Sequence, residues 1–176
     1  IRAESPVLEA FFALLALPEG RMENRLVMDL LEHPMIAERR GFAEDELDTV
    51  RHWIESVGIR WGADAEAQAE FGFSEGGLHS WRAGLDRLLL GLALPAGGTQ
   101  LFEGILPYDD IEGAQAGLLG RLAETVDLLI AWKRRLQTDR NPARWANMLG
   151  ELLADFFAED GEDSDVIIQV HEALDR

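Results

Sequence analysis

Apolar residues recur three and four positions apart along most of the chain, which is the spacing of one helix face. The segment with the cleanest pattern begins with three acidic residues, where the helix dipole is positive, and ends at Gly58. The alternation of apolar and polar residues that predicts strands extends over no useful length. The pattern therefore predicts an all-α protein. The regularly spaced apolar residues of the segment that ends at Gly58, which form its predicted buried stripe, are Leu47, Val50, Ile54 and Val57.

Capping and helix-breaking residues divide the chain into about eight helical segments of one multi-helix domain. Ser5 is expected to cap the first helix, with Pro6 in its first turn. The pair at 33–34 is expected to separate two short helices, and Asn141 to cap a later one before Pro142. Further helical segments are predicted at 35–40, 63–70, 78–94, 112–136 and 166–174.

Three local predictions concern packing and connections. Leu8, Phe11, Phe12 and Leu15 are expected to form the buried stripe of the first helix, and segment 78–94 is expected to lie in the middle of the core. Glycines at 84 and 91 share a face, where another backbone can approach closely. The stretch 95–110 is predicted to be irregular, with a brief extended piece. The chain is interpreted as one domain, 1–176, with 95–110 as its candidate internal boundary.

Composition narrows the class of protein. The chain has 176 residues, 47% of them apolar, which is enough for one core without metal or disulfides. It has no cysteine, which excludes zinc ribbons and thiol nucleophiles and makes the cytoplasm the expected location. Apolar runs fall far short of the ~20 residues of a bilayer span, so no membrane contact is expected. The chain begins at Ile1 without an initiator methionine or a signal-peptide pattern, so it is expected to be an excised or processed piece and not a secretory precursor.

Charge argues against DNA binding by the chain alone. Its 33 acidic and 16 basic residues give a net charge of −17, which repels phosphate backbones. One basic cluster near a helix end is expected to complement the helix dipole, with phosphate or an acidic protein as alternative partners. The acidic stretch 151–176 is expected to be a solvated face or to meet a basic partner. The basic cluster is Lys133, Arg134, Arg135, Arg140 and Arg144.

Catalytic and cofactor motifs are absent from the sequence, including phosphate-binding loops, dinucleotide glycine patterns and Glu-x-x-His pairs. No catalytic residue, cofactor or metal ligand is therefore predicted. Asp48 and His52 lie one helical turn apart and are interpreted as an exposed pair, with an imidazole base as the alternative. Asp109 and Asp110 are expected to cap the next helix, with cation binding or acid–base work as the alternative.

Five tryptophans are many for this length. Trp53, Trp132 and Trp145 fall in predicted helices and are expected in the core or at subunit contacts. Trp61 and Trp81 each stand beside an arginine near a turn, and arginine with indole is a common interface pairing. Core packing is expected for these two, with an interface as the alternative. The candidate interface or DNA-proximal residues are Arg60, Trp61, Trp81, Arg82, Lys133, Arg134 and Arg135.

Four phrases follow one another in a recognisable order: MDLLEHPMIAER at 28–39, GIRWG at 58–62, WRAGLDRLLLG at 81–91 and ILPYD at 105–109. Together they resemble the RecC family, the gamma subunits of RecBCD-type exodeoxyribonuclease V. The resemblance covers roughly residues 5–157, and the final helix adds less to it.

The resemblance implies an internal fragment of a subunit several times longer, which folds like a helicase that has lost its ATPase motifs. The fragment would be its largely helical inserted domain, like the 2B domain of superfamily 1 helicases. Implied partners are RecB-like and RecD-like subunits and other domains of the parent RecC-like chain, with DNA met only in the full complex. The parent complex would be an ATP-dependent exodeoxyribonuclease and helicase acting in DNA repair and recombination. The fragment itself is predicted to be inactive, and no role in reading the Chi sequence transfers to its residues.

Two other functions stay open at this point. One is a self-contained helical module for protein interaction, unrelated to DNA repair. The other is a metal-dependent hydrolase that uses Asp109, Asp110 and a distant histidine.

Overall fold

The computed structural model describes residues 5–73, 76–94, 101–138, 142–158 and 164–174, and within these ranges the protein is all-α, as predicted. No helix in those ranges has the length and apolar content needed to cross a bilayer. The helices are α1 (Pro6–Leu15), α2 (Asn24–Leu31), α3 (Pro34–Arg40), α4 (Glu44–Val57), α5 (Ala65–Ala69), α6 (Trp81–Ala93), α7 (Ala116–Leu136), α8 (Pro142–Phe156) and α9 (Ser164–Leu174).

Helix α4 confirms the prediction made from its stripe and its ends. Its four predicted apolar positions are buried, and Gly58 ends it with a left-handed φ of 75°. Glu46 closes its first turn by accepting the backbone N–H of Ala43 at 3.0 Å. That bond, together with Arg121 from α7, lowers the pKa of Glu46 below its usual value. The start of α4 is thus fixed by local capping and by one contact from a distant helix.

Helix α1 differs from its prediction in two ways. Ser5 stands at the N-cap, but its buried hydroxyl has no hydrogen-bond partner among the described residues. Phe12 is 61% exposed, whereas Val7 and Leu14 are fully buried. The segment is apolar on nearly every side, so its spacing fits two faces, and the face of Val7, Phe11 and Leu14 is the one that packs.

Helix α6 is shorter and less enclosed than predicted. It begins at Trp81 because the Ser80 hydroxyl accepts the backbone N–H of Ala83 at 3.2 Å, which leaves Leu78 exposed in the preceding turn. Leu89 is 40% exposed, so one side of α6 faces away from the core.

The prediction that Asp109 and Asp110 cap the next helix is wrong. A 3-10 turn at Gly113–Gln115 precedes α7, and its N-cap residue is Glu112. The Gln115 side chain accepts the Glu112 backbone N–H at 3.0 Å. Both aspartates lie outside this turn and are exposed.

Helix neighbours form a connected series. Helices α4, α6 and α7 pack against one another, and α2 packs on both α3 and α4. Helix α3 reaches α8, which packs on α9, and α9 lies against α1. One buried apolar cluster takes residues from before and after the connection at 95–110. The extent of the domain as 1–176 and its subdivision stay predictions.

Tryptophans fill the centre of this cluster. Trp53 and Trp132 are buried, as predicted, and Trp145 is half-buried against the core. The predicted extended piece is confirmed as an isolated antiparallel bridge between Phe102 and Ile105. Residues 95–100, the cap at Asn141 and most of the acidic tract 159–165 lie outside the described residues.

Candidate interaction surface

The turn at 58–62 is joined to a distant segment of the chain by backbone hydrogen bonds. The Gly62 N–H donates to the Arg21 carbonyl at 2.7 Å, and the Asn24 N–H donates to the Arg60 carbonyl at 2.8 Å. Because backbone groups make these bonds, they do not depend on the side chains of Arg60 and Trp61. The turn is therefore held in a fixed position against residues 21–24.

Trp81 ties the same turn to α6. Its backbone N–H donates to Gly62 at 2.9 Å, and its indole N–H donates to the Met22 carbonyl at 2.9 Å. The side chain is fully buried. Trp81 thus packs in the core, as expected, and its indole offers no exposed surface to a partner.

Both glycines of α6 lie at close contacts, as predicted from their spacing. A Cβ added to Gly84 would lie 2.2 Å from the Ile59 side chain, and one added to Gly91 would lie 1.7 Å from the backbone oxygen of Tyr108. The Tyr108 N–H donates to the Arg87 carbonyl at 2.9 Å. Three of the four family-like phrases, at 58–62, 81–91 and 105–109, therefore meet around α6.

A cluster of aromatic rings and one guanidinium lies on the outer side of this junction, with Arg21 and Phe73 exposed and Trp61 and Phe71 half-buried. The Arg21 guanidinium lies 4.9 Å from the Phe71 ring centre and 5.5 Å from that of Trp61. Trp61 packs edge-on against Phe73 at 5.1 Å, and Phe73 is 54% exposed. We call Arg21, Trp61, Phe71 and Phe73 the arginine–aromatic patch. Arg60, the neighbour of Trp61, is exposed.

Sequence reasoning found Trp61 and missed the other members of the patch. Arg21 is 40 residues from Trp61, and no local pattern links the two. The pairing that stood out in the sequence, Arg60 with Trp61, is an accident of adjacency, whereas the guanidinium near the ring belongs to Arg21. Aromatic residues at 71 and 73, just after a weak helix, were the one available signal.

The predicted basic cluster is dispersed among different partners. Lys133 is buried, and its ammonium donates to the carbonyls of Leu17, Pro18 and Gly20 at 2.7 to 2.9 Å. These carbonyls lie in the turn that follows α1, so the lysine bridges α7 to that turn. Burial lowers the pKa of Lys133, and the charge of Glu70 opposes that shift.

Three further basic candidates, Arg82, Arg134 and Arg135, each face a carboxylate. Arg134 lies 3.8 Å from Asp64, and Arg82 lies 2.9 Å from Asp127. Arg135 pairs with Glu151, and its guanidinium lies 4.0 Å from the Trp132 ring centre. Lys133, Arg134 and Arg135 therefore contact three different parts of the fold, while Arg140 lies outside the described residues.

Other candidate chemistry is not assembled in the described part of the chain. Asp48 pairs with Arg51 at 2.7 Å instead of orienting His52. The His52 ring nitrogen lies 3.4 Å from the Tyr108 hydroxyl and 3.5 Å from that of Ser56. Across the described ranges, no group of three or more histidines and carboxylates is placed to hold a metal ion.

These features define a class: an all-helical domain that carries one exposed arginine–aromatic patch on a rigid turn. A family model described as RecBCD enzyme subunit RecC fourth domain matches residues 4–176. The chain belongs to this RecC family.

The chain is also similar in sequence to RecC subunits from several bacteria. RecBCD enzyme subunit RecC of Escherichia coli strain K12 is 38% identical over 161 residues, which are 92% of this chain and 14% of that protein. The subunit of Haemophilus influenzae strain Rd is 30% identical over 99% of this chain and 15% of its own length. That of Mycobacterium tuberculosis strain H37Rv is 34% identical over 71% and 11%, respectively. The chain therefore spans about one seventh or less of the length of these relatives.

Proposed function

We propose that this chain is a non-catalytic structural and interaction domain of a RecC-like subunit in a RecBCD-type exodeoxyribonuclease V. It takes the place that the 2B domain holds in superfamily 1 helicases. Its partners are other domains of the parent chain and the RecB-like and RecD-like subunits. Through them it supports DNA unwinding, degradation and recombinational double-strand break repair in the cytoplasm.

One observation carries the proposal: the family-like phrases at 58–62, 81–91 and 105–109 meet around α6 and are used in internal contacts. Trp81 donates a backbone hydrogen bond to Gly62 of the turn at 58–62. Gly91 lies in close contact with the backbone of Tyr108. Arg87 donates to the carbonyls of Val57 and Leu106, at 3.0 Å each. A donor engaged in an internal hydrogen bond is not available for chemistry on a substrate. Trp81, Arg87 and Gly91 therefore serve to determine the shape of the fold.

Charge supports an indirect relation to DNA. With a net charge of −17, the chain repels a polyanion, and Arg82, Arg134 and Arg135 each face a carboxylate. DNA is expected to meet this domain where the assembled complex brings it there. Among the candidates for contact, Arg60 and Trp61 have accessible side chains, whereas Trp81 and Lys133 act within the fold.

The test uses the full parent subunit with Arg60→Ala and Trp61→Ala combined. We expect weaker assembly, measured by copurification of the other subunits, and weaker binding of duplex ends by the assembled complex. Backbone hydrogen bonds hold the turn, so the substitutions should remove side-chain contacts without unfolding it. Phe12→Ala is the matched control, because Phe12 is an exposed aromatic residue on a different helix. Unchanged assembly and unchanged duplex-end binding would contradict a role for these two residues.

Membership of the RecC family does not support the alternative of a module unrelated to DNA repair. The hydrolase alternative predicts metal-dependent turnover that Asp109→Ala abolishes. No such turnover is expected from this chain.

A further inference from the structure

We propose that the arginine–aromatic patch is a docking site for a protein segment that carries a carboxylate beside an apolar side chain. The segment comes from another part of the same, longer polypeptide. This inference rests on the proposed function in one respect: the chain is a domain of a longer RecC-like subunit.

The geometry of Arg21 favours an occupant that carries a carboxylate. Its guanidinium packs against two rings, and it makes no ion pair within 4 Å among the described residues. The side chain is exposed. A guanidinium held against aromatic rings keeps its N–H donors available in the plane of the group, where a carboxylate accepts two parallel hydrogen bonds.

The rings beside Arg21 favour an occupant with an apolar side chain next to its carboxylate. Phe73 is 54% exposed, and it lies at 71° to the ring of Trp61 with 5.1 Å between ring centres. Water against this ring is released when an aliphatic or aromatic side chain covers it. Tryptophan and arginine together are enriched at the sites that dominate the energy of protein interfaces.

The patch is already ordered before any partner arrives. The Arg21 carbonyl accepts the Gly62 N–H at 2.7 Å, and the Gln68 side-chain amide donates to the Trp61 carbonyl at 2.9 Å. These hydrogen bonds fix the backbone of the two residues at the centre of the patch. The backbone therefore has little conformational entropy to lose on docking.

The surroundings favour a single carboxylate over a nucleic acid. Glu19 and Glu23 flank Arg21 in the sequence, Glu66 and Glu70 precede Phe71, and all four are exposed. A phosphate backbone would have to pass these charges at every step along its length, whereas one carboxylate contacts Arg21 alone. The occupant is therefore a protein.

Covalent continuity favours an occupant from the same polypeptide. The matched relatives are about seven times longer than this chain, since the chain covers 14% of the Escherichia coli protein. A segment tethered in the same chain binds intramolecularly, which lets a small patch be occupied without a large interface.

The experiment uses the full parent subunit with Phe73 replaced by the photoreactive residue p-benzoylphenylalanine. The subunit is irradiated alone and in the assembled complex with duplex DNA, and the cross-links are mapped by mass spectrometry. We expect a cross-link within the same polypeptide, to a segment with Asp or Glu within two residues of an apolar side chain. Arg21→Glu should lower its yield about tenfold, because like charges then face each other.

The photoreactive residue at position 12 is the matched control, since Phe12 is equally exposed on another helix and should not reach that segment. A cross-link to another subunit or to DNA, or the absence of any cross-link specific to position 73, would overturn the docking proposal. So would a yield that Arg21→Glu leaves unchanged in a folded subunit, with folding checked by thermal unfolding.

The two proposals fail in different ways. A cross-link from position 73 to another subunit contradicts docking in the same chain and leaves the proposed function standing. Normal assembly and DNA binding of the Arg60 and Trp61 variant, with the expected cross-link intact, contradicts that proposed role and supports the docking site.

Discussion

At the scale of single residues, the sequence predicts the position of the buried lysine at a helix end but not the groups that its ammonium binds. Lys133 lies in the last turn of α7, as predicted, where cations are favourable. Its ammonium, however, binds carbonyls of the turn after α1, more than 110 residues earlier in the chain. No local pattern could have supplied that partner.

Replacing this lysine should destabilise the fold. Lys133→Met keeps most of the apolar stem but leaves three carbonyls without their donor, so the free energy of unfolding is expected to fall by about 2 kcal/mol. Denaturant unfolding of the chain measures it. Arg134→Met is the matched control, because that arginine is exposed and 3.8 Å from its partner, and should change the free energy by less than about 0.5 kcal/mol. Equal effects of the two substitutions would contradict the bridging role of Lys133.

At the scale of elements, α6 is the helix against which two other segments of the chain pack. It receives the turn at 58–62 at one end and the segment around Tyr108 near the other. The spacing of Gly84 and Gly91 predicted close approach to this helix, because glycine repeated on one face leaves room for a neighbour. The identity of each neighbour came from tertiary packing and was not predictable from the sequence.

Two glycine substitutions should therefore have opposite signs. Gly91→Ala places a methyl group 1.7 Å from the Tyr108 oxygen, so the backbone must shift, and we expect a loss of roughly 2–3 kcal/mol of stability. Gly120→Ala on α7 meets no atom within 4 Å and should gain about 0.5–1 kcal/mol from helix propensity. Thermal unfolding of both variants checks the pair. A neutral Gly91→Ala would show that the segment around Tyr108 yields without loss.

At the scale of the whole molecule, the helical pattern was predictable and the choice of buried face was only partly so. The stripe of α4 has one apolar face, and its four positions are buried as predicted. Helix α1 is apolar nearly all round, so spacing alone did not distinguish Phe12 from Leu14. The patch was the least predictable feature, because Arg21 and the aromatic residues come from segments joined only in the folded chain.

Net charge leads to a prediction for the isolated chain and DNA. Its affinity for duplex DNA is expected to be weaker than about 10⁻⁴ M at physiological salt, because its acidic surface repels the backbone. Arg134→Ala combined with Arg135→Ala should change it less than about twofold, since both arginines already face carboxylates. Fluorescence anisotropy at about 50 and about 200 mM salt measures the affinity and its salt dependence. Tight binding that persists at the higher salt would contradict a structural role.

The hydrogen bonds from residues 21–24 and 79–81 to the turn at 58–62 also determine when the patch comes into existence. Contacts between such distant parts of a chain require the intervening loops to close, which costs conformational entropy. The turn has all of these hydrogen bonds only in a chain that extends to residue 81. We therefore expect a chain that ends before residue 79 to lack the ordered patch, and docking to begin only after this domain has folded.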